Sequence, residues 1–122
     1  MNAKPISILL ALIVLAAPLA EALSITKNPE AKDITAASAK ISWATDANSN
    51  SVVRYGTTDA LESTKTENHL IISHNVILDG LTPNTDYKFS VKSCATPSDA
   101  ATCTAESAAS TFKTLAQILL CR

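Results

Sequence analysis

Leu81-Thr82-Pro83-Asn84-Thr85-Asp86-Tyr87 is the stretch from which the rest of the chain can be read. Its first half is turn chemistry, part of a cluster running from Asp79 to Asn84 in which Pro83 presets the backbone angle. Its last residue opens an alternation: Tyr87, Phe89 and Val91 stand against Lys88, Ser90 and Lys92. That period of two is the mark of a strand with one buried face.

The same parity recurs on both sides of this corner. Upstream, Ala39, Ile41 and Trp43 alternate with Lys40, Ser42 and Ala44, and Val53 and Tyr55 alternate with Val52 and Arg54. Val76 and Leu78 continue the pattern, and it closes around Phe112. Further turn clusters at Asp46 to Asn50 and Ala95 to Ala101 separate the runs, and no segment after the leader has a helical period. About seven short strands within roughly 90 residues predict an all-β fold, a two-sheet antiparallel β-sandwich of immunoglobulin-like topology. The expected core residues are Trp43, Tyr55, Leu78, Leu81, Pro83, Tyr87, Phe89, Val91 and Phe112.

The Leu-x-Pro-x-Thr-x-Tyr run resembles the corner between the fifth and sixth strands of fibronectin type III domains. Ile41-Ser42-Trp43 looks like the tryptophan motif of their second strand, and Val53-Arg54-Tyr55-Gly56 like their third. The resemblance implies that the Tyr87 ring packs in the core while its hydroxyl turns to a backbone group a few residues upstream. Immunoglobulin domains proper carry their tryptophan on the third strand, whereas Trp43 falls on the second. A second resemblance is carried by Trp43, by Val53-Arg54-Tyr55-Gly56-Thr57, and by His74 ahead of Val76-Ile77-Leu78-Asp79-Gly80-Leu81. These residues look like the amino-terminal sandwich domain of purple acid phosphatases. In those enzymes the domain precedes a metallophosphatase domain whose Asp, His, Asn and Tyr ligands hold two metals. None of those ligand motifs occurs here, and too little chain follows Tyr87 for a catalytic domain.

Residues 1–22 are expected to be a signal peptide. Lys4 supplies a positive start, Ile6 to Leu15 an apolar region, and Ala20-Glu21-Ala22 a cleavage site. The apolar run from Pro5 to Ala20 is about 16 residues, short of the roughly 20 that a spanning helix needs. The domain then occupies residues 23–114, and residues 115–122 form a short apolar tail, read either as a truncated linker or as a segment that docks on a partner or on the sandwich itself. Export places the cysteines in an oxidising space. Cys94 and Cys103 flank a turn-rich octet, which makes a disulfide across its base geometrically natural. Cys121 is left without a partner, either as a link to another chain or as a sign that the polypeptide stops short of its natural end.

Ten Lys and Arg nearly balance eleven Asp and Glu, so the field needed to hold nucleic acid is absent. Two glycines leave no phosphate-cradling loop. His69 and His74 are predicted on opposite strand faces, which is wrong for joint metal ligation. Asp46, Asn48 and Asn50 begin like a calcium loop, but Ser51 and Thr57 stand where Gly and Glu are required, so a solvated loop is expected. No nucleophile elbow or paired base occurs. Arg54, Lys88 and Lys92 fall on one outward face, read as a solvated surface over the alternative of a mild positive patch. No catalytic, cofactor-binding or metal-binding residue is therefore assigned. The expected function is a secreted or cell-surface, non-enzymatic module that spaces, adheres or binds an unidentified protein or glycan, with no membrane span after signal cleavage and either free or tethered to further domains. The alternative is the accessory front domain of a metallophosphatase or other secreted hydrolase whose catalytic domain lies outside this chain.

Overall fold

The computed structural model describes residues 22–118, so the expected leader, Cys121 and the end of the apolar tail lie outside the described residues. Five strands carry the fold: β1 (Ile25–Lys32), β2 (Ala39–Gly56), β3 (Ser63–Leu78), β4 (Asp86–Lys92) and β5 (Ser110–Lys113). All pair antiparallel, in the order β1-β2-β4-β5, with β3 paired to β2. The two long strands each serve both layers, which is how five segments hold the seven expected runs. Ala39–Ala44 of β2 lies between β1 and Ser73–Leu78 of β3, and Ser51–Gly56 lies between Ser63–Glu67 of β3 and β4.

The expected loop at Asp46–Asn50 is corrected by this arrangement. It is an irregular stretch inside continuous β2, where the ladder with β3 shifts register between Ala44 and Ser49 and again before Ser51. Ser49 and Asn50 are buried, not solvated. The physical reason is local. Thr45 and Ser49 turn their hydroxyls to the Ala47 carbonyl at 2.8 and 3.3 Å and so satisfy the bend from within.

Between the layers sits one apolar cluster. Ala39, Ile41, Trp43, Val76 and Leu78 meet Val53, Leu81, Tyr87, Phe89, Val91 and Phe112, all buried. Tyr55 packs against this cluster with its ring partly exposed. Pro83 lies outside it, so its part is played by the backbone: Gly80 (φ 68°) and Asn84 (φ 53°) take left-handed conformations on either side of it. The corner is then closed by the Thr82 N–H, which donates to the Tyr87 hydroxyl at 2.8 Å. Tyr87 stacks on Phe112 at 5.5 Å between centroids, tying the corner to the last strand.

Candidate functional site

The parity of β3 sends His74 inward and leaves His69 exposed. His74 is stacked on Trp43, with centroids 4.8 Å apart and planes within 6°. Three hydroxyls from the β2 bend surround its ring. Ser51 Oγ lies 2.7 Å from Nδ1, and Thr45 Oγ1 and Ser49 Oγ lie 3.0 and 3.4 Å from Nε2. Because Thr45 gives its only hydrogen to the Ala47 carbonyl, its oxygen can only accept from His74. The proton is thereby assigned to Nε2, and Nδ1 accepts from Ser51. Burial pushes the His74 pKa down, so the ring is held neutral. A serine bonded to a histidine invites comparison with a nucleophile and its base. Here both side chains are 1% exposed and every partner of the ring is a hydroxyl, with no carboxylate to orient it. The pair works as a structural clasp between β2 and β3. The sequence sets His74 beside His69 and within a family resemblance but gives it no partner; the signal for this cluster is the shared parity of Ser49 and Ser51, which puts both hydroxyls on one face of β2.

A second arrangement is open to solvent. Cys94 and Cys103 are joined by a disulfide and pair as an isolated antiparallel bridge just beyond β4. The loop they close carries a short 3-10 turn, Ala100–Thr102, whose first residue follows the capping side chain of Asp99. Asn50 anchors this loop to β2: its Oδ1 accepts from the Cys94 N–H at 2.7 Å and its Nδ2 donates to Asn68 Oδ1 at 3.2 Å. Between loop and sheet runs a groove of about 600 Å³, walled by Val52, Thr66, Asn68 and Lys92 on one side and by Pro97 and Ser98 on the other.

Of the three bases expected on this outward face, two are neutralised. Arg54 donates to both Glu106 carboxylate oxygens, at 3.2 and 3.0 Å, and Lys88 is paired with Asp59. A hydrogen bond from Ser90, aided by Arg54, holds the Glu106 carboxyl below the usual carboxylate range. Lys92, on the groove wall, forms no ion pair among the described residues. Asp46 is also engaged, accepting the Ser24 N–H at 3.0 Å. Among the described residues no group of three or more His, Cys, Asp or Glu is gathered that could hold a metal ion. No helix there is long and apolar enough to cross a membrane.

The sandwich, the tyrosine corner and the tryptophan on the second run define a fibronectin type III-like module. Residues 28–114 match the family model of the purple acid phosphatase N-terminal domain, and the chain belongs to that family. No curated protein matches the chain. Among solved structures it is similar to the sensor domain of the anti-sigma factor RsgI4 in Pseudobacteroides cellulosolvens, at 26% identity and a TM-score of 0.54 over 80% of this chain and 98% of that one. It is also similar to the fibronectin type III domain derived from human KIAA0970 protein, at 22% identity and TM-score 0.56 over 80% and 77% of the two chains. A third likeness is to the domain of human fibronectin type III domain containing protein 3, at 13% identity and TM-score 0.58 over 84% and 94%. The last two show a shared fold.

Proposed function

We propose that the chain is a secreted or cell-surface, non-catalytic module that binds protein or glycan through the groove beside the Cys94–Cys103 loop. The observation that carries this reading is the contrast between the two polar clusters. The one containing serine and histidine is sealed in the interior, whereas Asn68, Thr66 and Lys92 stand on a rigid sheet facing solvent, beside a loop fixed by a covalent bond. The oxidised cysteine pair supports export. An array of immobilised glycans and cell-surface proteins probed with the purified chain tests the proposal. Lys92→Ala and Thr66→Ala should each weaken a captured ligand about tenfold, the scale of one lost polar contact, without moving the melting temperature. Binding that survives both substitutions sinks the groove as the site, and phosphate-ester hydrolysis at an enzymatic rate sinks the non-catalytic reading.

The family match favours a second reading, that this module accompanies a metallophosphatase domain. Its test is the coding sequence in frame beyond codon 122. A region rich in clustered Asp, His and Asn there supports this reading, and a gene without one removes it.

A further inference from the structure

The two long edges of the first layer are built differently. β1 carries Pro29, Lys27 and Lys32 and has two register breaks against β2, all devices that stop a foreign strand from adding to an edge. β3 is hydrogen-bonded to β2 alone among the described residues; its first half carries Lys65 and Glu67 and shares the register shifts opposite Ala44–Ser51, but its second half, Ser73–Leu78, pairs without a break and has none of these devices. No Pro, Gly or charge occurs from Asn68 to Leu78. Among the described residues, four of the six exposed large apolar side chains lie here: Leu70 (48%), Ile71 (37%), Ile72 (47%) and Ile77 (47%).

What would cover this edge is written in its sequence. Unpaired backbone N–H and C=O groups are matched by another strand. Leu70-Ile71-Ile72-Ser73-His74-Asn75-Val76-Ile77-Leu78 reads nearly the same in both directions by chemistry. We propose that β3 pairs antiparallel with β3 of a second copy of this chain, about a two-fold axis through His74. Leu70 then faces the partner's Leu78, Ile71 the partner's Ile77, Ile72 the partner's Val76, and Ser73 the partner's Asn75. On the outer face exposed Ile71 meets exposed Ile77 and Ser73 meets Asn75, on the inner face Leu70 and Ile72 lie beside Leu78 and Val76, which each copy already buries in its own core, and no charge is buried. Shifting the register by one residue would set Ile71 against the core-facing Val76, on the opposite face of the sheet, and lose the match. The patch is small against a standard interface, so the dimer is weak and depends on concentration.

Sedimentation equilibrium tests this on purified protein carrying Cys121→Ser, which removes any intermolecular disulfide. The parent should dimerise reversibly. Ile77→Lys, on the exposed face, should raise the dissociation constant about tenfold or more, since two symmetry-related pairs are lost at once. Adding Ile71→Glu to that variant should restore dimerisation in a salt-sensitive form, because each new carboxylate lies opposite the partner's new ammonium. Circular dichroism melts of both variants confirm that they fold. A parent that stays monomeric up to about 1 mM overturns the proposal, as does a dimer indifferent to Ile77→Lys. Weakening without rescue by the double variant overturns the register.

Discussion

Trp43 and His74 lie ring on ring, 4.8 Å between centroids, and both are buried to within 2% of complete exclusion from solvent. The stack joins neighbouring strands of one layer, since Trp43 of β2 is directly paired with His74 of β3. Trp43 also donates from Nε1 to Ser93 Oγ at 2.9 Å, beyond the end of β4 in the other layer. One side chain therefore links the clasp, the core and the approach to the disulfide loop.

Acid should loosen this arrangement in a defined window. With its folded pKa lowered, His74 takes up a proton more readily in the unfolded chain, so stability falls as pH drops below the ordinary value of 6.5 and levels off below the folded value. A proton on Nδ1 would also oppose the Ser51 hydrogen that Nδ1 now accepts. The lowered carboxyls of Glu62 and Glu106 keep their stabilising ionisation until the pH falls below their ordinary value of 4.5. Urea midpoints followed by the emission of Trp43, the single tryptophan, should decline between pH 7 and 5 in the parent. His74→Gln should start lower at pH 8 and stay flat across that range. An equally steep decline in the variant would assign the effect to other groups.

Ser93 tests the link between the layers. It is fully buried, and Ser93→Ala leaves the indole N–H without a partner in a dry interior. The expected loss is about 1–3 kcal/mol, against about 3–5 kcal/mol for Trp43→Ala, which removes the ring as well. Denaturant unfolding at pH 7.5 separates the two, and a Ser93→Ala variant as stable as the parent would mean that water reaches the indole.

Tyr87 divides in the same way. Tyr87→Phe strands the Thr82 N–H and should cost about 1–3 kcal/mol, while Tyr87→Ala also opens a cavity against Phe112 and should cost about 3–5 kcal/mol. Equal losses in the two variants would show that the hydroxyl contributes nothing at this corner.

The corner was readable in advance because turn residues at fixed spacing followed by a period of two leave few alternatives. Trp43, Phe89, Val91 and Phe112 were readable for the same reason, since alternation fixes which face is buried. The bend of β2 was not. Asp46-Ala47-Asn48-Ser49-Asn50 has the composition of a loop, and only in three dimensions do the hydroxyls of Thr45, Ser49 and Ser51 converge on an imidazole more than twenty residues away. The groove was hidden as well, because Asn50 and Asn68 meet only through the crossing of β2 and β3. Pairing of Arg54 with Glu106 across 52 positions is likewise invisible to any local pattern.

The disulfide offers the last test, and it connects stability to the proposed groove. Cys94 and Cys103 are nine positions apart, and closing so short a loop restricts the unfolded chain by about 2.5–3 kcal/mol on the chain-entropy account. The loop has its own hydrogen bonds, with Asp99 N–H donating to the Thr96 carbonyl at 2.8 Å and Thr96 N–H to Thr102 Oγ1 at 2.9 Å. Asn50 holds its first residue from β2. Removing the bond should therefore lower stability without releasing the fold. A chain with Cys94→Ala and Cys103→Ala should melt about 10–20 °C below the parent, retain the same strand-dominated circular dichroism spectrum, and bind any groove ligand more weakly. A variant that melts with the parent would show that the loop is ordered by Asn50 and its own turn alone.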